Sequence, residues 1–380
     1  MASTPRVPLR TSSSGMWFYG TLCAIYSSLP FIVAPQRFRD VANVNDFANY
    51  WSAGATVGSG LLTDPGRLEA WEAAHDVAPH PFVYPPGFAW FYAPFAHFPP
   101  MTALMIELVV MIALFGLAAL LIAEIYGFPR WFAALGVFAW GPTVSTIEAG
   151  QNTGLALVLM LTAILALASR RPLLLGVAVG LLLYKPTDAL AFLLLLLVRR
   201  EWRALAVATL FGLGWYVLSV GASGGDWLWP IAYANTVHAW YAANSSNPYQ
   251  VFTVPTLLLA AQTPVVVAVA TGAIVLISAL PLLARVSGLE AASMATLVGL
   301  AASVHAWPYS AAVMLPAVCY AMTSLPNSLR LPIIIAAYVG AAVGVSTAYG
   351  GYALAMVCVG GTLWWLLTGY RAGSRAPLAG

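Results

Sequence analysis

Apolar residues run along this chain in long stretches, each stopped by an arginine, a proline or a short polar cluster. Such runs lack the one-sided apolar stripe of a water-facing helix, so they predict helices that are apolar all round, as in a bilayer. Reading between the breaks places candidate spans at Met16–Ala34, Met101–Ile125, Trp131–Ile147, Gly154–Ala168, Leu173–Tyr184 and Ala189–Val198. They continue at Ala204–Val220, Pro264–Leu283, Ala291–Val304, Ala306–Met322, Leu331–Ala348 and Tyr352–Thr368. The pattern amounts to about twelve segments, two of them too short to cross upright. Those two lie between Arg170-Arg171 and Arg199-Arg200, so the stretch between the pairs enters and returns. It predicts a helical hairpin whose polar tip, Lys185-Pro186-Thr187-Asp188, lines a protein cavity; a single kinked helix is the alternative. The first run follows Arg6 and Arg10 and shows no small-x-small cleavage site, so a retained signal anchor is expected.

Composition agrees with the pattern. The chain is 61% hydrophobic and 8% charged, with a mean hydropathy of +0.83, whereas a soluble protein carries roughly 25% charged residues. The net charge of +3 is scattered between apolar segments and forms no basic face, which argues against nucleic acid as a partner. With a cytoplasmic N-terminus, Arg6, Arg10, Arg130, Arg170, Arg171, Arg199, Arg200, Arg203, Arg285, Arg330, Arg371 and Arg375 all fall inside. Only Arg37, Arg39 and Arg67 fall outside, in one long loop. The expected protein is therefore a multi-pass plasma (inner) membrane protein with both termini cytoplasmic and one polytopic domain over residues 1–380. Its outer loops 35–100 and 223–262 hold most acids, aromatics and histidines and would cover a site. Cys23, Cys319 and Cys358 sit in apolar runs, where they are expected as buried hydrophobes.

Several polar clusters interrupt the apolar pattern. Asn45-Asp46-Phe47 opens the first outer loop beside Tyr50 and Trp51. Asp46 suits a general base toward a hydroxyl, or equally the cap of an amphipathic helix over Phe47–Val57. Phe82-Val83-Tyr84-Pro85-Pro86 and the aromatics up to Pro94 read as an interfacial belt. His305, at the junction of two apolar segments, is an ionisable group at membrane depth, able to donate to a phosphate or shuttle a proton; a histidine merely bonded at a helix break is the alternative. Lys185 stands where a lipid phosphate is a better partner than snorkelling. Glu148-Ala149-Gly150-Gln151-Asn152 forms another outer turn. The arginine-based topology puts all these stretches on one side. The histidine and acid spacings give no metal motif, and no nucleophile elbow is present.

At these residues the chain resembles glycosyltransferase family 87, membrane-embedded mannosyltransferases of the GT-C type. The matching pieces are Asp46-Phe47, Tyr50-Trp51, Ala53-Gly54, Phe82-Val83-Tyr84-Pro85-Pro86, Gly150-Gln151-Asn152, Lys185-Pro186, the Arg199-Arg200-Glu201-Trp202-Arg203 turn, and His305 with Pro308-Tyr309. One departure is Ser310 after Tyr309, where many relatives carry an acid. The resemblance implies an all-α integral membrane protein, a GT-C-type multi-span helical bundle with a short hairpin and a long first outer loop bearing interfacial helices. It implies a polyprenyl-phosphate sugar donor, typically of mannose, a lipid or glycolipid acceptor, and inversion at the anomeric carbon without a metal; no cofactor is expected, and nothing in the sequence demands a protein partner. Asp46 would be the base and His305 the group that holds the donor phosphate. Asn45, Tyr50, Trp51, Tyr84, Gln151, Asn152, Lys185, Trp307 and Tyr309 are the candidate substrate-binding residues. Two other readings stay open: an arabinosyltransferase with the same fold, and a transporter or flippase whose path would run by Glu107, Glu124, Glu148 and the broken hairpin.

Overall fold

A computed structural model describes residues 46–79, 81–244, 251–346 and 351–373. Asn45, Cys23 and the run Met16–Ala34 with its expected signal anchor lie outside the described residues. Within them every regular element is helical. The stretch before the first long helix carries α1 (Phe47–Ala55) and α2 (Pro65–Ala74), followed by short turns at Pro86–Phe88, Ala89–Tyr92 and Phe95–His97. The bundle then runs through α3 (Pro100–Tyr126), α4 (Arg130–Phe138), α5 (Gly141–Glu148), α6 (Thr153–Ala168), α7 (Pro172–Leu182), α8 (Pro186–Val198) and α9 (Trp202–Ala222). After α10 (Trp229–Asn244) and α11 (Val254–Ala260) come α12 (Val265–Arg285), α13 (Gly288–Ala302), a 3-10 segment Pro308–Met314, α14 (Leu315–Ser324), α15 (Asn327–Ser346) and α16 (Gly351–Gly373).

Five stretches are long and apolar enough to cross a membrane: Pro100–Tyr126, Trp202–Ala222, Val265–Arg285, Ser328–Val345 and Gly351–Gly369. Their outer faces expose Val109, Leu210, Val217, Val266, Ile277 and Met356, side chains suited only to lipid. Of the shorter apolar helices, α6 and α13 are mostly buried, with the α13 side chains from Ala291 to Ala302 all buried, whereas α7 and α8 also expose Leu173, Leu190 and Leu197. Glycines allow α7 close contact with α9: a Cβ on Gly176 would strike Ala204 O, and one on Gly180 would strike Phe211.

Contacts between helix ends sort the bundle into two poles. Gly288 packs on Leu167, Arg199 Nη1 donates to Leu283 O and Val286 O at 2.9 and 3.0 Å, and Tyr126 OH bonds Ser293 Oγ at 2.7 Å. The arginine-bearing ends of α6, α8 and α12 therefore meet the start of α13 at one pole. At the other pole Tyr184, after α7, donates to Asn152, before α6. The chain thus reverses between α7 and α8: both arms begin or end at the arginine pole, and they meet at Lys185.

Two segments differ from the runs expected of them. Trp131–Ile147 is two helices, broken at Ala139-Trp140. Pro142 has no N–H to continue the ladder, Trp140 Nε1 donates to Ala311 O at 3.1 Å, and Gly141 abuts the backbone of Ala341. Ala306–Met322 begins instead as the 3-10 segment from Pro308, and only then turns into α14 with Pro316 in its first turn. Cys319 and Cys358 are buried free thiols.

Candidate active site

Asp46 immediately precedes α1, yet its side chain makes no cap hydrogen bond. Its Oδ2 instead accepts from Gln151 Nε2, so the capping alternative does not describe this carboxylate. The direction of α1 is set by packing. Gly54 lies so close to the Tyr92 carbonyl that any Cβ would collide with it. Tyr50 stacks on Tyr92 with centroids 4.7 Å apart and planes 8° apart, and Phe47 meets Tyr92 and Phe95 edge-on. Gln151 is delivered by the C-terminus of α5, where Gly150 adopts φ +63°, a left-handed value that favours glycine. Gln151 N then reaches back to Thr146 O at 3.0 Å and Gly150 N to Ile147 O at 3.2 Å, which satisfies the end of the helix and turns the glutamine toward α1.

The segment from Phe82 to Pro94 is only partly the interfacial belt its aromatics suggest. Trp90 and Phe91 are exposed, but Phe82, Phe88 and Tyr92 are buried. Gly87 N donates to Ser219 Oγ at 2.9 Å and Trp90 Nε1 to Leu218 O at 3.2 Å, so this turn is clamped onto α9. Clamping directs Phe88 inward to stack on Tyr184 at 4.2 Å. It also places Tyr84 OH 2.8 Å from Tyr50 OH and 3.3 Å from Gln151 Oε1. Burial, and then the neighbouring tyrosines, hold the Tyr50 hydroxyl well above its usual pKa. Burial also raises that of Tyr84, against the opposing pull of Lys185. Both phenols are therefore protonated donors near neutrality.

His305 lies in the non-helical segment between α13 and the 3-10 turn that begins at Pro308. Ser303 Oγ donates to His305 O at 2.6 Å and accepts from His305 N at 3.2 Å, and Thr253 Oγ1 fixes Ser303 O at 2.7 Å. Trp240 lies edge-on to the imidazole at 4.9 Å, and Trp307 and Tyr309 are parallel at 6.3 Å. Burial first, and the Lys185 charge second, push His305 down to about 3. The ring is neutral without a ligand.

A cavity of about 500 Å³ joins these parts, within the usual range for a small-molecule site of roughly 300–1,000 Å³. Asp46, Tyr50, Tyr84, Gln151, His305, Trp307 and Tyr309 line it. Trp51, Asn152 and Lys185 do not. Trp51 Nε1 donates outward to Phe98 O at 3.0 Å, and Asn152 is fully buried against Tyr184. Lys185 is buried, with Nζ 3.3 Å from Asp188 Oδ2, and its charge acts on Tyr84 and His305. Asn49, Glu69, Thr236 and Trp240 also line the cavity, and none of them stood out in the sequence. Pro65 and Glu69, one turn apart on α2, share the face that meets the cavity. That spacing was the available signal. Trp240 on α10 had none.

Residues 82–308, more than half of the chain, match the profile of glycosyltransferase family 87. The chain belongs to that family. This family 87 protein is a membrane glycosyltransferase, and membership brings a sugar donor and a lipid acceptor in general terms. The matched stretch contains Tyr84, Gln151, Asn152, Lys185, His305 and Trp307, begins after Asp46, Tyr50 and Trp51, and ends before Tyr309. No curated protein and no solved structure matches the chain.

Proposed function

We propose that this family 87 enzyme moves a hexose, with mannose the first candidate, from a polyprenyl-phosphate donor to a lipid or glycolipid acceptor at the outer, periplasmic face of the plasma membrane, with inversion and without a metal. The observation that carries the proposal is that Asp46 and His305, from opposite halves of the chain, line one cavity floored and walled by aromatic rings. Asp46 takes the proton of the acceptor hydroxyl as its oxygen bonds the anomeric carbon. The bond from that carbon to the phosphate oxygen breaks on the opposite face, and its electron pair leaves with the polyprenyl phosphate. His305, neutral and held by Ser303, donates an N–H to the phosphate, and Lys185 behind it supplies positive charge. Trp240, Trp307 and Tyr309 offer faces for a sugar ring.

The outer location is supported by the two poles: the cavity lies opposite the helix ends that carry Arg170, Arg171, Arg199 and Arg285, and basic ends stay cytoplasmic. The described segments α3, α4 with α5, α6, α7, α8, α9, α12, α13, the stretch 308–324, α15 and α16 join the poles. With Met16–Ala34 they support about twelve crossings, the short hairpin included, and cytoplasmic termini. The outer loops that carry α1, α2 and α10 would then form the cover of a single-domain site.

The test supplies purified enzyme in nanodiscs with polyprenyl-phosphate mannose, the corresponding arabinose donor and candidate lipid acceptors, and follows transfer by mass spectrometry. Wild type should transfer mannose and Asp46→Asn, still folded, should lose roughly 100-fold or more in rate. Equal rates would remove Asp46 from the chemistry, transfer of arabinose alone would change the sugar, and no transfer from either donor would sink the proposal.

A further inference from the structure

The amide of Gln151 has both of its ends committed. Tyr50 OH donates to Oε1, Tyr84 OH stands 3.3 Å from the same oxygen, and Nε2 donates to Asp46 Oδ2. The hydroxyls of Tyr50 and Tyr84 are themselves 2.8 Å apart, so donation runs in one direction, from tyrosine to glutamine to aspartate. Flipping the amide would set its oxygen against a carboxylate oxygen, which an ionised Asp46 forbids. The glutamine is only 3% exposed, and with two hydroxyls on its oxygen and a carboxylate on its nitrogen it keeps at most one N–H for any ligand. A side chain so occupied is a poor sugar contact and a good brace.

Building on the proposed base role of Asp46, we infer that Gln151 is a positioning residue: its amide, oriented by Tyr50 and Tyr84, holds one oxygen of Asp46 and thereby aims the carboxylate at the acceptor hydroxyl. The brace depends on the Gly150 turn, which fixes the glutamine backbone, and on the Tyr50–Tyr92 stack, which fixes the first donor. The other ionisable groups at the cavity are Glu69 on α2, Tyr309 and His305, with Lys185 and Asp188 paired outside its lining. None of them is changed by substituting Gln151, so the variant isolates the amide.

Gln151→Leu keeps the volume and removes the donor; Gln151→Glu keeps the shape and places a second carboxyl on Asp46. Transfer is measured against pH for wild type and both variants, with Asp46→Asn as the reference. The same proteins are titrated by infrared spectroscopy through the protonated-carboxyl band that Asp46→Asn abolishes, a readout that needs no activity. Loss of a charge-assisted hydrogen bond should move the acidic limb and the infrared midpoint upward by about one pH unit or more in Gln151→Leu. The shift should be at least as large in Gln151→Glu, whose two carboxyls share a proton. Lower rates with both midpoints unmoved would make Gln151 a substrate contact or a purely structural residue and overturn the inference while Asp46 keeps its role. If Asp46→Asn transfers like wild type, the base reading fails and the inference with it. Thermal unfolding of each variant shows which one is folded, and one folded variant suffices.

Discussion

The two poles of the bundle use the same kinds of polar group to opposite ends. At the arginine pole the groups close on one another: Glu290 takes Tyr320 OH at 2.8 Å on one oxygen and Trp365 Nε1 at 3.0 Å on the other, and Arg199 is spent on the carbonyls of Leu283 and Val286. At the cavity pole Asp46 has the same carboxylate chemistry, but it accepts from Gln151 Nε2 while lining about 500 Å³ of space. A carboxylate that joins two helices ties the bundle together, whereas one that lines a cavity stands where a ligand can reach it. Both carboxylates are half-buried and lie among aromatic residues, so burial alone does not separate them. The cavity beside Asp46 does.

The largest effect expected breaks the comparison in both directions at once. Asp46→Asn should cost roughly 100-fold in transfer, equivalent to about 2.7 kcal/mol of barrier, with little change in unfolding temperature. Glu290→Ala should do the reverse. It leaves Tyr320 and Trp365 without their acceptor and should destabilise the fold by about 2 kcal/mol, while transfer per folded molecule stays as in wild type. Unfolding curves and transfer rates on the same preparations check both. If Glu290→Ala loses activity as Asp46→Asn does, the poles are coupled and the contrast between holding and binding is wrong.

A similar effect comes from acid. His305 is pushed down to about 3 by burial and then by Lys185, against roughly 6.5 for an unfolded histidine. The folded form therefore holds the neutral ring, and the unfolded chain binds a proton first as pH falls below about 6.5. Stability linked to this group is complete above that value and is lost as pH drops toward 3. By pH 5 the loss is about 2 kcal/mol. Wild type should thus lose more thermal stability than His305→Gln between pH 7 and pH 5, and equal losses would show that the ring is not buried as a neutral group.

These expectations also show which parts of the site a sequence discloses. Lys185 and His305 stood out because each is an ionisable group set in an apolar stretch, conspicuous in a chain that is 8% charged, and Asp46 because it opens a polar cluster beside aromatics; the structure brings Asp46 and His305 to one cavity and leaves Lys185 outside its lining. The ends of α6, α8 and α12 were legible because arginines mark them, whereas α10 and α11 lie in a stretch that the pattern reads as loop. Local pattern could not show which way a ring faces. Phe88 and Tyr92 belong to the same aromatic run as Trp90 and Phe91, and only the clamp of Gly87 onto Ser219 sends the first pair inward. Nor does any local feature bring Trp240 to His305, because that contact depends on how α10 folds back over the bundle. The break at Trp140 likewise rests on partners distant in sequence, Ala311 and Ala341.

The smallest effect sharpens the picture of the cavity pole itself. Tyr50 and Tyr84 both reach Gln151, but not equally: Tyr50 OH donates directly, while Tyr84 OH is 2.8 Å from Tyr50 and 3.3 Å from the amide oxygen. Tyr84→Phe should leave the Tyr50 to Gln151 to Asp46 sequence intact. Its ring can keep the contacts with Phe88 at 5.4 Å and Tyr184 at 6.4 Å, so the loss is one neutral hydrogen bond of about 1 kcal/mol, a fall of less than about tenfold in kcat/KM. Tyr50→Phe removes the donor that fixes the amide and should cost clearly more at the same pH, with part of the loss recovered at higher pH, where Asp46 stays ionised without help. If the two variants lose equal activity, the hydroxyls act on the substrate from the cavity wall. If Tyr50→Phe alone shows the pH-dependent recovery, the hydroxyl of Tyr50 belongs to the brace and that of Tyr84 only supports it.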